Sequence, residues 1–348
     1  MTSMTHETPT VDDRQVWDTW LSAFRMPSLS IADELGVFEA LDAEPADAAR
    51  LGARLKLNPE ALKALLPMLS ALGFLVPRLG RYQLTPVART YLLKNSPFYW
   101  GHAFSLHRRG PFVDRFREAL RDRVSDQGAA QTFGATGRPS DAWESGEVDE
   151  QMAEGVTPFM HSHSAPAAIG AARNGDFEGV TRLLDVGGGS GCFAIALAQR
   201  FPTMRCTVME LPAMCVNAKR YIAEGGVTDR VDTTSVDMFR DAWPMGYDAI
   251  FMSNIFHDWD VAINRELAAS AFAALPSGGR IYLHEMLIND EGSGPLASAA
   301  FSMLMLMGTK GRQYSLAELT DILGGAGFAG VEARNTYGHY SLVSARKP

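Results

Sequence analysis

The stretch LLDVGGGSG at residues 183–191 contains four glycines in five positions, directly after an apolar run. Glycine is needed where the backbone turns with positive φ, or where another group comes too close for a Cβ atom. The apolar stretch CFAIALAQRF that follows is typical of a buried helix. A strand, a glycine turn and a helix in this order predict a βαβ unit whose turn holds the polar end of a ligand. The spacing GGGxG differs from the fingerprint GxGxxG and disfavours a dinucleotide.

Strand-like and helical segments alternate from Thr181 onward, for example CTVMEL, AMCVNAKRYIAEGG, YDAIFMSNIF and RIYLHEMLI. This alternation predicts right-handed βαβ units and a doubly wound, mostly parallel sheet with helices on both faces, an α/β fold of Rossmann-like type. Ligands of such sheets bind beyond the carboxyl ends of the strands. We therefore expect the functional side chains at those ends.

The amino-terminal part has a different pattern. Apolar residues recur at helical spacing between Val16 and Leu93, and the turn at Asn58-Pro59 predicts a second helix that begins with Pro59. The runs FLVPR and RYQLT, separated by Leu79-Gly80, predict a two-stranded wing. A winged helix can bind DNA, but residues 1–110 carry 12 Lys or Arg against 11 Asp or Glu. Without a basic excess, dimerisation or a scaffold role is favoured over DNA binding.

The length of the chain predicts more than one domain. A single hydrophobic core stops growing before 348 residues are reached. We divide the chain into a winged-helix domain at 1–95, a helical connector at 96–175 and an α/β domain at 176–348. A loop is expected in the connector at DQGAAQTFGATGRPS.

The composition and charge of the chain limit the classes of partner that it is expected to bind. The chain is 46% hydrophobic and 21% charged, as in ordinary globular proteins, and its net charge of −8 disfavours binding to a phosphate backbone. The start MTSMTHETPTVDD lacks the features of a signal peptide, and no run of about 18 apolar residues occurs that could span a membrane. We expect a cytoplasmic protein with a small-molecule partner and neither nucleic acid nor membrane.

Two acids are placed to bind an adenosine. Glu210 ends the segment CTVMEL, 19 residues beyond Gly191. A carboxylate there can accept hydrogen bonds from both ribose hydroxyls, and its charge argues against a 2′-phosphate. Asp237 ends the next strand and is followed by Met238 and Phe239, so it could bind an adenine amino group while apolar side chains cover the ring.

No metal is predicted. The segments HSHS at 161–164 and HDWD at 257–260 offer possible ligands, but neither has the spacing of a known site. The three cysteines, Cys192, Cys206 and Cys215, match no CxxC or Cys/His pattern. They are expected to be small buried side chains.

Six segments in a fixed order carry a family resemblance: LLDVGGGSGCFAIALAQRFP, VMELP, VDMF, IFHDW, SGGRIYLHE and LGGAGF. They resemble the S-adenosylmethionine-dependent O-methyltransferases of the plant and bacterial family that includes caffeate, hydroxyindole and antibiotic-pathway enzymes. The segment HDW, followed by an acid 28 residues after its histidine, is the more specific part. The resemblance covers essentially the whole chain and implies a class I methyltransferase domain, an N-terminal winged-helix dimerisation domain and a homodimer.

The resemblance implies a set of donor-binding residues. The glycines approach the amino-acid end of S-adenosylmethionine, Glu210 takes the ribose, and Asp237 with Met238 holds the adenine. Most of the family has Asp where this chain has Glu210, and many plant members have lysine where it has Ser253. The implied set is Ser164, Gly187, Gly188, Gly189, Glu210, Asp237, Met238 and Ser253.

The resemblance also implies catalytic roles. His257 of FHDW matches the base and Glu285 its orienting acid, while Gln313 stands where many members have a second orienting glutamate. Histidine is suited to take the proton of a phenol of pKa about 10. Asp258 is expected to be a helix N-cap, and His284 to be structural. The acceptor pocket is expected to draw on residues of the connector and of FSMLMLMG, namely Phe159, Met160, Met303 and Met307.

These observations predict O-methylation of a small, aromatic natural product. Gln313 can hydrogen-bond but cannot offset a positive charge, so C- or N-methylation by the same fold is a first alternative. A winged-helix regulator with a nucleoside-sensing domain is a second.

Overall fold

The computed structural model describes residues 9–121 and 139–348. These residues form two compact units, and each unit is built from separate stretches of chain. The first contains residues 9–14, Ser140–Met286 and Leu316–Pro348, and the second contains residues 15–121, Pro139 and residues 287–315. The predicted division at 1–95, 96–175 and 176–348 stays a prediction. Most of the predicted loop DQGAAQTFGATGRPS lies outside the described residues.

The second unit is helical with one small hairpin. Its elements are α1 (Arg14–Leu21), α2 (Arg25–Glu34), α3 (Val37–Ala43), α4 (Ala48–Leu55), α5 (Pro59–Ala71), β1 (Leu75–Arg78), β2 (Arg81–Leu84), α6 (Pro86–Tyr91), α7 (Gly101–Phe104), α8 (Pro111–Leu120) and, much later in the chain, α14 (Leu296–Gly308). Short 3-10 turns follow α1 and α7. Its core includes the side chains of Phe24, Phe38, Leu62 and Leu65, which are buried.

The predicted helix-turn-helix and wing are confirmed. Asn58 caps α5, because its side-chain oxygen accepts from the backbone N–H of Glu60 at 2.8 Å, and Pro59 is the first helical residue. Between β1 and β2 the residues Leu79 and Gly80 have φ of 49° and 74°. Two successive left-handed residues form the tight turn that matches the twist of an antiparallel hairpin.

The first unit contains a seven-stranded sheet in the order β5-β4-β3-β6-β7-β9-β8. Its strands are β3 (Arg182–Val186), β4 (Arg205–Glu210), β5 (Val231–Ser235), β6 (Ala249–Ser253), β7 (Arg280–Glu285), β8 (Ala329–Tyr337) and β9 (Tyr340–Arg346). The strands β3 to β7 pair in parallel, and β9 pairs antiparallel with both β7 and β8. The doubly wound, mostly parallel α/β fold is confirmed. Strand order reverses between β3 and β6, which places a ligand crevice at the carboxyl ends of these strands.

Helices accompany the sheet: α9 (Pro139–Ser145), α10 (Glu150–Asn174), α11 (Cys192–Arg200), α12 (Pro212–Glu224), α13 (Val261–Ala274) and α15 (Leu316–Gly325). The helix α10 packs against α11, α12 and β8. The three cysteines are free and buried, as predicted. Within residues 9–121 and 139–348, no helix has both the length and the apolar character needed to cross a membrane.

Candidate active site

The glycine turn joins β3 to α11, and its glycines serve different purposes. Gly187 and Gly189 have φ of 64° and 57°, which side-chain-bearing residues rarely adopt. A Cβ atom on Gly187 would lie 2.5 Å from Ile255 Cδ1, and one on Gly188 would lie 2.7 Å from the carboxyl carbon of Asp185. A Cβ atom on Gly189 would meet nothing within 4 Å. Two of the three glycines are therefore required by protein packing, and Gly189 is the one beside open space.

Glu210 stands next to that open space. It is the last residue of β4 and is only 6% exposed. Its Oε1 accepts from the backbone N–H of Gly189 at 3.1 Å, and its Oε2 accepts from that of Leu211 at 3.0 Å. Burial raises the pKa of Glu210 to about 7, although these two N–H groups lower it. A buried carboxyl group with spare lone pairs beside a bare glycine fits a ligand that brings hydroxyl groups.

Asp185, on β3, is a second buried acid at the same place; the sequence marks it as the acid that precedes the glycine turn but assigns it no particular contact. It is 1% exposed, and its Oδ2 has no hydrogen-bond partner among the described residues. Burial, together with the charge of Glu210, raises the pKa of Asp185 to about 8. A ligand with a cationic or N–H-bearing end would satisfy this oxygen, so the site fits the amino-acid end of S-adenosylmethionine as well as its ribose.

Asp237 is already held by its neighbours. Its Oδ1 accepts from the backbone N–H of Phe239 at 2.9 Å, and its Oδ2 pairs with Arg240 Nη1 at 2.5 Å. Met238 is half-buried, and its carbonyl oxygen accepts from Trp243 Nε1 at 3.0 Å. The carboxylate is therefore fixed in place before any adenine contact is made, and that contact stays a prediction.

The two predicted serines have histidine neighbours. Ser164 is buried in α10, and its hydroxyl lies 3.4 Å from His163 Nδ1. The Ser253 hydroxyl, at the end of β6, lies 3.2 Å from His284 Nδ1. The other ring nitrogen of His284 lies 2.9 Å from the hydroxyl of Thr336, and the ring is fully buried. His284 is thus held on both nitrogens, in agreement with the structural role predicted for it.

His257 and Glu285 lie at the carboxyl ends of neighbouring parallel strands. His257 lies in a 3-10 turn shortly after β6, and Glu285 ends β7. Nδ1 of His257 is 2.9 Å from Oε2 of Glu285, and both side chains are about 5% exposed or less. The other carboxylate oxygen, Oε1, accepts from the backbone N–H groups of Ile255 and Phe256 at 3.1 and 3.0 Å. The glutamate therefore ties the histidine-bearing turn to the sheet.

The electrostatics of this pair favour a basic histidine. Burial lowers the pKa of His257, but the charges of Glu285 and Asp258 and the hydrogen bond that His257 donates to Glu285 raise it more. The net result is a pKa above the ordinary value of 6.5. Burial also raises the pKa of Asp258 to about 6.

The predicted N-cap role of Asp258 is wrong. The helix α13 is capped by Asp260, whose side chain accepts from the backbone N–H of Ile263 at 3.0 Å. Asp258 ends the preceding 3-10 turn, and its Oδ1 is 3.5 Å from His257 Nε2. Both acids flank Trp259, so the local sequence could not decide which of them begins the helix.

Comparisons with known proteins identify the family. The O-methyltransferase domain family matches residues 116–329, and the O-methyltransferase dimerisation domain family matches residues 17–94. The 3-hydroxy-5-methyl-1-naphthoate 3-O-methyltransferase of Streptomyces sahachiroi is 40% identical over 306 residues, which cover 87% of this chain and 86% of the relative.

The chain belongs to the O-methyltransferase family.

Other members of the family are also similar to this methyltransferase. The L-tyrosine C(3)-methyltransferase of Streptomyces lavendulae is 32% identical over 88% of this chain and 84% of the relative. Among solved structures, an O-methyltransferase family 2 protein from Planctomyces limnophilus in complex with apigenin has a TM-score of 0.84 and 29% identity over the whole of both chains. The structure of PigF with SAH has a TM-score of 0.60 and 26% identity over 97% of this chain and 100% of that one.

Family membership excludes the second alternative raised by the sequence, the nucleoside-sensing regulator. The protein is an S-adenosylmethionine-dependent methyltransferase with a dimerisation domain, and not a regulator that only senses a nucleoside. Within the described residues, no three His, Cys, Asp or Glu side chains are grouped to hold a metal ion.

Four residues are predicted to line the methyltransferase's acceptor pocket, and each lies within one of the two units. On α10, the ring of Phe159 is exposed and lies 5.2 Å from the ring of His163, and Met160 packs in a small apolar cluster of the first unit. In the second unit, Met303 is fully buried on α14 and Met307 is half-buried. Gln313 is buried too, and its backbone N–H donates to Ser302 Oγ at 3.1 Å. Their role toward an acceptor stays a prediction.

His163 is a candidate site residue that sequence reasoning missed. Burial, together with the charge of His257, lowers its pKa to about 4. The two imidazoles are therefore close enough to interact although 94 positions separate them in the sequence. The repeated histidines of HSHS were a signal, but only the fold brings His163 close enough to His257 for their charges to interact.

Proposed function

We propose that this enzyme methylates a hydroxyl group of a small aromatic molecule, with His257 as general base and Glu285 as its orienting acid. The observation that carries the proposal is the buried contact of 2.9 Å between His257 Nδ1 and Glu285 Oε2 at the carboxyl edge of the sheet. The same edge carries Glu210 and the glycine turn.

The donor side of the proposal rests on four groups. S-adenosylmethionine, when bound, supplies the methyl group from a sulfonium. Gly189 leaves room for it, Glu210 accepts hydrogen bonds from its ribose, and Asp185 can take its ammonium group. Asp237, fixed by Arg240, is available to the adenine. We propose Ser164, Ser253, Gly187, Gly188 and Met238 as further contacts.

The base acts through its second ring nitrogen. Because Nδ1 faces Glu285, the neutral ring carries its proton on Nδ1, and the lone pair of Nε2 accepts the proton of the acceptor hydroxyl. The carboxylate of Glu285 then stabilises the imidazolium. Such a base contributes about 10²–10⁴-fold to the rate. Holding acceptor and donor in line contributes up to about 7–11 kcal/mol, so positioning is the larger effect.

The acceptor is proposed to be aromatic because flexible and aromatic side chains are available to contact a flat ring. Phe159 and Met160 lie within one turn of His161 and His163 on α10, and Met303 and Met307 follow each other on one face of α14. The named relatives act on or bind a naphthoate and apigenin, both of which carry hydroxyl groups on fused rings.

A homodimer is proposed because large apolar side chains are exposed in and beside the dimerisation domain. They include Trp20, Met26, Val87, Tyr91, Phe98 and Trp100. Exposed patches of this kind mark interaction surfaces. The partner proposed is a second copy of the chain, and light scattering of the purified protein at micromolar concentration tests it.

A cytoplasmic location stays a proposal, and so does the lack of a nucleic-acid partner. The near-neutral amino-terminal part and the net charge of −8 support the second of these. Cell fractionation and a salt-dependent DNA-binding assay test them.

Methylation at carbon is the second candidate, because one relative of 32% identity is a C(3)-methyltransferase. Carbon and oxygen acceptors demand different roles of His257. A phenol must lose its proton to become a nucleophile, whereas an activated ring carbon attacks first and loses its proton afterwards.

The test has two stages. Calorimetry with S-adenosylmethionine measures donor binding, and methyl transfer from labelled donor is then measured with hydroxynaphthoates, flavones and L-tyrosine. Binding of the donor and an O-methyl product identified by NMR are expected. No donor binding contradicts the proposal, and a C-methyl product replaces it with the second candidate.

A further inference from the structure

A contact between two side chains connects α10 to the glycine turn. His161 Nδ1 lies 2.8 Å from the hydroxyl oxygen of Ser190. Ser190 is 3% exposed and stands in the turn between Gly189 and Gly191. The glycines give the turn its conformational freedom, and Ser190 adds a side chain of the turn itself that another element can hold.

The histidine is itself restrained. Its ring stacks on the ring of Tyr221 of α12, with centroids 4.3 Å apart and an angle of 27° between planes. Burial lowers the pKa of His161 below 6.5, against the opposing effect of Glu224, so the neutral ring is favoured. Stacking on Tyr221 restrains the face of the ring, and the hydrogen bond with Ser190 restrains its edge. The restrained ring in turn holds the side chain of Ser190 in place.

The same face of α10 carries a proposed donor contact. Ser164 follows His161 by three positions, and residues at that spacing are neighbours on a helix surface. Ser164 is buried, and α10 packs against both α11 and α12. One turn of one helix therefore supplies both the restraint on the glycine turn and the serine proposed to meet the donor carboxylate.

We infer that His161 is a positioning residue for the methyl donor. By holding Ser190 it keeps Gly189 in the left-handed conformation in which its N–H donates to Glu210 Oε1 at 3.1 Å. The donor then finds both the bare glycine and the ribose carboxylate in place, and no ordering of the turn is needed on binding. The inference rests on the proposed function, since it takes S-adenosylmethionine as the ligand of this turn.

The experiment uses the full chain and a cycle of variants. His161→Leu removes the polar atom, His161→Asn keeps one near the place of Nδ1, and Ser190→Ala removes the partner. The double variant His161→Leu with Ser190→Ala closes the cycle. Ser162→Ala is the matched control, because this exposed serine of the same helix bonds to the carbonyl of Phe159 within α10. Donor Kd by calorimetry, both KM values, kcat and melting temperature are measured.

We expect the donor Kd to rise about 3- to 10-fold in His161→Leu and in Ser190→Ala, which is the loss of one hydrogen bond. The double variant is expected to resemble the single variants, and His161→Asn to recover part of the affinity. The acceptor KM and the control variant are expected to stay within about twofold of the wild type.

Three results overturn the inference: unchanged donor Kd in both single variants, additive effects in the double variant, or equal losses in donor and acceptor KM together with a lower melting temperature. If His161→Leu does not fold, the donor Kd values of Ser190→Ala and His161→Asn still test the inference. A wild type that binds no S-adenosylmethionine contradicts the proposed function instead, so the two failures are distinguishable.

Discussion

Two glutamates occupy equivalent places in the sheet and differ in what faces them. Glu210 ends β4 and Glu285 ends β7, both are buried, and each carboxylate accepts two backbone N–H groups. Glu285 also faces the imidazole of His257 at 2.9 Å. Among the described residues, no cationic side chain forms an ion pair with Glu210.

The difference shows how one residue type gains two functions at the same edge. With no cation beside it, burial is the main influence on Glu210 and raises its pKa to about 7, so its carboxyl group is suited to hydroxyl partners from a ligand. At Glu285 the histidine is the partner, and the carboxylate raises the pKa of a base. The sheet supplies the position, and the neighbouring side chain decides the chemistry.

Removing His257 is expected to have the largest effect. In His257→Ala we expect kcat for a phenolic acceptor to fall about 10²–10⁴-fold, because no group then takes the proton from the hydroxyl. The donor Kd is expected to stay within about twofold, because His257 is proposed to act on the acceptor. Steady-state kinetics and calorimetry measure the two effects, and a retained kcat would indicate a carbon or nitrogen nucleophile.

The second-largest effect is expected from Glu285→Gln, which keeps the shape of the side chain and removes its charge. We expect kcat to fall roughly 10- to 10³-fold, because the histidine loses the group that fixes its tautomer. Neutral His257 is the proposed active form, and the pKa of His257 lies above 6.5 in the wild type. Activity should therefore rise with pH through that raised value, and in the variant this acidic limb should move to lower pH.

The pH profile of kcat/KM measures this shift, with the exposed Glu266→Gln on α13 as control. An unchanged acidic limb would mean that Glu285 does not set the basicity of His257.

Glu210→Gln is expected to weaken the donor side alone. We expect the donor Kd to rise about 10-fold, because an amide has only one acceptor oxygen, whereas a carboxylate can accept from both ribose hydroxyls. Most of the family that this sequence resembles has Asp at this position. Glu210→Asp is therefore expected to raise the donor Kd less than Glu210→Gln does. Calorimetry at pH 8, above the raised pKa of Glu210, measures the donor Kd of the wild type and of both variants. Equal donor affinities of Glu210→Gln and the wild type would contradict the proposed ribose contact.

The smallest effect is expected on stability, in Asp185→Asn. Because the pKa of Asp185 is raised from 3.8 to about 8, the folded state holds the proton more tightly than the unfolded state. The wild type is therefore expected to lose free energy of unfolding as pH rises from about 4 to 8, and the variant to lose about 1–2 kcal/mol less. Urea denaturation across this range measures it, with the exposed Asp232→Asn as control; parallel curves would contradict the assignment.

The sequence predicted those parts of the fold that depend on local pattern. Asn58-Pro59 and Leu79-Gly80 form the turns expected of them, because caps and tight turns are decided by a few adjacent residues. The strand β8 was missed because it lies at the edge of the sheet, where most of its side chains are exposed and the apolar alternation is weak. The glycine run suggested close approach by a ligand, yet at Gly187 and Gly188 it is other protein atoms that leave no room for a Cβ atom.

The site residues that could be predicted from the sequence are those that lie at the end of a strand or shortly after it. His257 and Glu285 do lie within 2.9 Å of each other, although their roles rested on a family resemblance. The surroundings of Asp185 and His163 could not be predicted, because the raised and lowered pKa values of these residues arise from burial and from neighbours distant in the sequence. Such contacts are products of tertiary structure and leave no local pattern.

The discontinuous second unit has a consequence for synthesis on the ribosome. Its helices α5 and α8 pack against α14, and Trp17 lies 5.3 Å from Phe301, ring centre to ring centre. A ribosome that adds about 5–20 residues per second needs roughly 10 s or more to pass from α8 to α14. During that interval the nascent amino-terminal helices expose the apolar surface that α14 later covers. The growing chain therefore depends on protection from aggregation until its last sixth has begun to emerge.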